Sequence, residues 1–329
     1  MPFRIKISLA ILLGMLTLLV VGPLIIPIRP LPDTVPARDL ADPDSQFIDV
    51  GSLELHYKSA GTNLSSPPAF LLLHGFGSSS YTWHSVINEL GLLGPAYAFD
   101  RPAFGLSERP QRGDWEGQNP YGFEAQKAQT LGLMDELGLE QAVLIAHSAG
   151  AAIALELAVE HPERVSGLVL VGAAVYGGGA STTAKLFMRS PQLNRIGPTI
   201  MRQFAAQPGR DFLESAWSNP DTLDEATLEA YAKPLLVNDW DRALWEYAKV
   251  GGAPRLEERL SAVEVPVLVI TGADDTIVDP ELSERLVGDL PNATFASFDS
   301  CGHLPQEECP EPFAAVVGDW VLENAVNRE

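Results

Sequence analysis

Three observations predict an α/β fold with a mainly parallel sheet. Uncharged runs of strand length recur at 69–73 (AFLLL), 142–146 (AVLIA), 167–172 (GLVLVG) and 265–272 (VPVLVITG). Such runs suit strands buried on both faces. Between them lie stretches with helical spacing, and most of the runs end in turns rich in glycine or aspartate. Strands alternating with helices imply right-handed crossovers within one sheet.

In chain order, residues 47–50 and 53–57 flank Gly51-Ser52 with partial alternation, which predicts a hairpin at the antiparallel edge of the sheet. The buried strand at 69–73 leads into His74-Gly75-Phe76-Gly77. The strand at 96–99 leads into Asp100-Arg101-Pro102-Ala103-Phe104-Gly105-Leu106-Ser107. Apolar residues spaced through 123–137 predict a helix that ends at Gly138. Strands follow at 142–146, 167–172, 265–272 and 293–298. The interval 176–259 breaks this rhythm. It has no strand pattern, holds Trp217, Trp240, Trp245 and several other aromatics, and is interrupted at Pro191, Pro208, Pro220 and Pro234, so it predicts a helical insertion over one edge of the sheet.

Composition narrows the function. The chain has 329 residues, enough for one large α/β domain with an insertion. Its formal charge of -21 argues against nucleic acid and against polybasic attachment to anionic lipid. No residue between Lys6 and Arg29 is charged, and a helix over 7–28 would be long enough for a hydrocarbon layer of about 30 Å. Gly22-Pro23 is expected to end that helix early. The segment therefore predicts a hydrophobic N-terminal helix that anchors the chain, or a signal sequence removed near Val35-Pro36-Ala37 to release a secreted protein. The cleavage pattern lies far from the apolar run, which favours the anchor. Arg4 and Lys6 before the span would put the main domain outside the cytoplasm. Residues 29–45, rich in proline and aspartate, read as an extended tether. Cys301 and Cys309 suggest no metal site, and either a disulfide or two thiols fits their spacing.

The residues that carry chemistry sit at the ends of the buried strands. Ala146-His147-Ser148-Ala149-Gly150 follows one strand and opens a helix. A serine flanked two residues away on each side by small residues fits a strained strand-to-helix elbow that presents its hydroxyl, although a helix N-cap serine would share this local pattern. A serine nucleophile needs a base, and the base needs an orienting carboxylate. Both occur later in the chain: Asp274, Asp275 and Asp279 beyond Gly272, and His303 after the last strand. His74 is expected to brace its loop, His147 to lie near the pocket, and Asp100 to tie down its turn through hydrogen bonds.

These motifs resemble the α/β-hydrolase superfamily, in the serine-nucleophile group with a helical cap between the sixth and seventh strands. The resemblance covers residues 47–320. It rests on His74-Gly75-Phe76-Gly77 as oxyanion loop and on residues 100–107 as the D-x-x-G-x-G-x-S turn, with Ala103 for its first glycine. The elbow at 146–150, with Ala146 for glycine, and Gly302-His303 complete it. It implies a mainly parallel eight-stranded sheet with helices on both faces, with a hydrolase core (46–175 and 260–329) and a helical cap (176–259), behind the anchor or signal segment (1–28) and the tether (29–45) that composition predicts. It also implies Ser148 as nucleophile, His303 as base, Asp275 as the acid three residues after Gly272, and the N–H groups of Phe76 and Ala149 as the oxyanion hole. The implied reaction is hydrolysis of a small-molecule ester-type acyl substrate through an acyl-enzyme, with neither metal nor organic cofactor. Cofactor-independent C–C bond hydrolysis uses the same residues, and a non-catalytic ligand-binding protein can share the fold. Nothing in the sequence sets an oligomeric state.

Overall fold

The computed structural model describes residues 3–61, 68–177 and 181–326. Eight strands form one sheet in the order β1-β2-β4-β3-β5-β6-β7-β8. β1 (Gln46–Val50), β2 (Leu53–Ala60) and β4 (Ala96–Phe99) pair antiparallel. β3 (Phe70–Leu73) pairs parallel with β4 and with β5 (Ala142–His147). β6 (Val165–Val171), β7 (Val267–Gly272) and β8 (Ala293–Phe298) extend the sheet in parallel. The sequence places these strands to within a few residues.

The apolar runs are continuous because each central strand is covered on both faces. Leu71, Leu73, Leu144 and Ala146 point into one apolar cluster, with α3 (Phe123–Glu136), α4 (Gly150–Glu160) and α10 (Pro280–Asp289). Phe70, Leu72, Val143 and Ile145 point into the other, with α2 (Ile87–Leu93) and α12 (Pro310–Val326). Alternate side chains of a strand thus feed opposite cores. α11 (Pro305–Glu308) is a single turn ahead of α12.

Between β6 and β7 the chain forms α5 (Thr182–Met188), α6 (Pro191–Ala205), α7 (Gln207–Ser215), α8 (Glu225–Ala232) and α9 (Trp240–Val250). Three of their starts are capped by side chains: Ser181 accepts from the Ala184 N–H, Ser190 from Leu193 and Asp224 from Thr227. Two of the four prolines that interrupt the sequence pattern, Pro191 and Pro208, fall at the starts of α6 and α7.

The N-terminal segment departs from expectation. It forms α1 (Phe3–Ile25), which continues through Pro23 instead of ending at Gly22. Among the described residues no helix is long and apolar enough to cross a membrane. The side chains of Arg4 and Lys6, on which the orientation rested, lie outside the described residues. The membrane-anchored, extracytoplasmic placement is therefore corrected, and a membrane partner is not retained. The helix instead lies along α6. Gln192 donates to the Val20 carbonyl at 3.3 Å and Arg195 to that of Ile26 at 3.2 Å.

Residues 29–45 are not a free spacer either. Val35 pairs with Val237, its N–H donating to Leu236 O while its own carbonyl accepts from Asn238. Asp42 bridges Lys58 (3.1 Å) and Lys233 (2.5 Å), which ties this segment to both the sheet and the helical insertion.

Candidate active site

The parallel strands bring their carboxyl ends to one edge, where the singled-out residues gather. β5 runs through His147 into Ser148, whose φ of +50° is the left-handed conformation an elbow requires. Gly150 starts α4, and a Cβ there would stand 2.8 Å from the carbonyl oxygens of Leu73 and His74. Only glycine lets the helix approach β3 this closely. Ala146, by contrast, is fully buried in regular register between Leu73 and Leu170, so its methyl group is accommodated.

His303 Nδ1 lies 2.7 Å from Asp275 Oδ2, and both residues are buried. Asp275 Oδ1 accepts from the N–H groups of Ile277 (2.8 Å) and Val278 (2.9 Å). Fixed in this way, the carboxylate holds the imidazole with its proton on Nδ1, leaving Nε2 free to accept one. The alternatives to Asp275 are occupied elsewhere: Asp274 accepts from Ser218 Oγ, and Asp279 caps α10 by accepting from the Glu281 N–H. Ser148 and His303 line one cavity of about 270 Å³, and the described hydrogen bonds include none between them. In unliganded sites such a bond is often long.

Gly75 packs against the serine, since a Cβ on it would stand 3.0 Å from Ser148 Cβ. The next residue, Phe76, turns its ring into the same cavity, 6.3 Å from the Phe204 ring. Ala149 faces a second cavity of about 250 Å³ behind the elbow, shared with Arg101 and Tyr247. His74 braces the loop as expected, with Nδ1 2.7 Å from Gly75 O. Burial, helped by the nearby Arg101, pushes the His74 pKa down to about 3. His147 lines the cavity with its Nε2 2.9 Å from His303 O, and burial next to that second imidazole depresses its pKa strongly. The helical insertion closes the cavity with Phe204, Phe212, Leu213, Leu228 and Tyr231.

Several supporting residues carry no sequence signal. The His303 N–H donates to Ala216 O at 2.6 Å, so the histidine loop hangs from the insertion. Glu308 accepts from the N–H groups of Gly302 (2.5 Å) and Ser218 (2.8 Å). Cys301 and Cys309 form a disulfide across this loop, with Cα atoms 6.4 Å apart. The spacing of eight residues allowed that bridge without requiring it. Among the described residues no group of three His, Cys, Asp or Glu side chains could hold a metal ion.

The family model for the alpha/beta hydrolase fold matches residues 68–310. Over 281 residues the chain is 30% identical to the 2-hydroxymuconate semialdehyde hydrolase of a Pseudomonas species, covering 82% of this chain and 90% of that one. Among solved structures it resembles the enol-lactonase of Burkholderia xenovorans at a TM-score of 0.67 and 21% identity, over 84% of this chain and all of that one. It also resembles a bacterial membrane phospholipase A at 0.66 and 23% identity, over 98% of this chain and 99% of that one. At these identities the solved structures speak for the fold. With the family model spanning most of the chain, this protein belongs to the α/β hydrolase family.

Proposed function

We propose that the protein is a serine hydrolase that cleaves a small-molecule ester-type substrate through an acyl-enzyme. The observation that carries this reading is the buried His303–Asp275 pair at 2.7 Å, sharing a cavity with a serine held at φ +50°. Ser148 Oγ attacks the carbonyl carbon while His303 Nε2 takes its proton. Asp275 keeps the imidazole oriented and stabilises the cation that forms. The N–H groups of Phe76 and Ala149 receive the developing oxyanion. Collapse expels the alcohol, protonated by His303, and water activated by the same histidine then releases the acid. The apolar lining suits an uncharged acyl group, with residues 176–259 acting as a cap over it.

C–C bond hydrolysis is the second reading, favoured by the 2-hydroxymuconate semialdehyde hydrolase relative. Parallel panels of p-nitrophenyl esters, lactones and dienone substrates, each with Ser148→Ala as the blank, separate the two. Ester turnover that disappears in Ser148→Ala, with no dienone turnover, supports the first. Dienone turnover well above that of esters supports the second. A fluorophosphonate probe should label Ser148 and should react far more slowly with His303→Ala. Equal labelling rates would remove His303 as the base, and no serine-dependent turnover or labelling at all would leave a ligand-binding protein.

A further inference from the structure

Arg101 is a charge buried close to the serine elbow. It is only 1% exposed, and among the described residues no carboxylate forms an ion pair with it. Its neighbour Asp100 is turned the other way, toward His56. The guanidinium donates to Gln126 Oε1 at 2.8 Å and to Gly75 O at 3.0 Å, packs 5.3 Å from the Phe104 ring, and leaves Nε without a partner. The Tyr247 phenol, which lines the cavity behind the elbow together with Arg101, also faces it. Burial lowers the pKa of the group, yet an arginine keeps its proton in protein interiors. A buried cation with no counter-ion is costly, and a neutral side chain could have filled the same space.

The acceptor explains the placement. Gly75 C=O belongs to the same peptide unit as Phe76 N–H, and the two are joined by amide resonance. That carbonyl has two donors, Arg101 at 3.0 Å and His74 Nδ1 at 2.7 Å, while His74 Nε2 accepts from the Arg101 backbone N–H at 3.0 Å. The imidazole is therefore neutral with its proton on Nδ1, and the only formal charge on the peptide comes from Arg101. Hydrogen bonds to a carbonyl oxygen draw density from the amide and strengthen its N–H as a donor.

We infer that Arg101 is a positioning residue for hydrolysis, whose buried guanidinium fixes and polarises the Gly75–Phe76 peptide so that the Phe76 N–H stabilises the oxyanion. The inference rests on the oxyanion-hole assignment of the preceding section. An unpaired cation behind that peptide favours the negative tetrahedral state over the neutral bound ester, so its effect falls on kcat and leaves KM alone.

The test compares Arg101→Met and Arg101→Gln, both neutral, with Arg101→Lys in the purified full chain. Arg101→Gln can still donate to Gly75 O and carries the test if Arg101→Met does not fold. The readouts are p-nitrophenyl butyrate kinetics and affinity for an alkyl trifluoromethyl ketone, which forms an oxyanion on Ser148, set against the matching alkyl amide, which does not. The neutral variants should lose about ten- to hundredfold in kcat at KM within about twofold, less than the loss of a direct oxyanion donor. They should lose ketone affinity by the same factor and keep amide affinity, while Arg101→Lys recovers most of the loss. A folded neutral variant with wild-type kcat, or a kcat loss without any loss of ketone affinity, overturns the inference. Ser148→Ala run alongside separates the two levels. If it retains turnover, the proposed function itself fails; if it is inactive while the neutral variants are unimpaired, only the role of Arg101 fails.

Discussion

Two Ser–His–Asp groupings stand out among the described residues. In the first, His303 Nδ1 lies 2.7 Å from Asp275, whose other oxygen is held by two backbone N–H groups, and Ser148 faces the same cavity. In the second, His56 Nδ1 lies 2.7 Å from Asp100 and His56 Nε2 lies 2.9 Å from Ser45 Oγ. Asp100 also accepts from the N–H groups of Ser80 (2.6 Å) and Leu106 (2.7 Å). By hydrogen bonding alone the second chain is the more complete. The serines differ in backbone and surroundings. Ser148 sits in a strained turn beside a glycine-rich loop, whereas Ser45 accepts from the Asp42 N–H in the segment that leads into β1. Asp100, moreover, holds its turn closed: Gly105, at φ +49°, has no room for a Cβ, which would overlap the Asp100 carboxylate. A bonded triad can thus serve as a clamp, and a nucleophile needs strain, access and an oxyanion site as well.

The widest separation is expected between the two serines. Ser148→Ala should reduce kcat for an ester substrate by at least about 10³-fold, in line with removal of a serine nucleophile. Ser45→Ala should leave kcat within about twofold and cost about 1 kcal/mol of stability, since one partly buried hydrogen-bonding hydroxyl is lost. Comparable kcat losses in both variants would erase the distinction.

The aspartates sharpen it further. Asp275→Asn should lower kcat by about 10²–10⁴-fold with little change in thermal unfolding, because the imidazole loses its orienting charge. Asp100→Asn should show the reverse pattern, costing about 2–4 kcal/mol of stability while kcat per folded molecule is retained, because a buried carboxylate anchored by three partners is broken. Burial alone would raise the Asp100 pKa, but the facing His56 and the backbone donors override it and hold the group well below the usual carboxylate range. Its contribution to stability is therefore complete above the unfolded pKa of about 3.9 and is lost as pH falls toward the folded value. Urea midpoints measured from pH 2 to 6 that are parallel for wild type and Asp100→Asn would contradict this.

Only one of these chains was visible before the structure. Strand ends are legible because β3, β5, β6 and β7 are apolar on both faces, so the residues that follow β5 and β7, at 148 and 275, must share one sheet edge, and 303 joins them at the end of the partly exposed edge strand β8. His56 carries no motif. Its partner Ser45 is brought beside it by the β1–β2 register, which pairs Gln46 with Tyr57, and Asp100 by the antiparallel pairing of β2 with β4. Arg101 was equally opaque, since its meaning comes from the carbonyl it meets across the sheet edge. The 29–45 segment misled because proline and aspartate report local extension and say nothing of Lys58 and Lys233, which bind it down. For the apolar N-terminal segment, hydropathy could not show that part of one face would lie against α6.

A third buried carboxylate tests the contrast at the smallest scale. Glu307 has neither imidazole nor backbone N–H among its described partners. It accepts from the hydroxyls of Thr82, at 2.5 Å, and Tyr231, and its Oε2 is unpartnered. Burial dominates here, and the pKa is pushed up to about 7. The sign is opposite to that of Asp100. A group whose folded pKa is raised binds more protons in the folded state, so its contribution is complete below the unfolded value of about 4.3 and is lost as pH rises through about 7. Ionised Glu307 is then a buried anion held only by hydroxyls, one of them on α8 of the insertion. Glu307→Gln keeps the shape and an acceptor but removes the titration. Relative to wild type it should gain about 1–3 kcal/mol between pH 5 and pH 8, with the variant the more stable at the upper end. Differential scanning calorimetry across that range reads the difference directly. A wild-type advantage that grows with pH would mean that the ionised form is the one the fold prefers, and that hydroxyl donors alone can hold a buried carboxylate as firmly as the imidazole and backbone donors around Asp100.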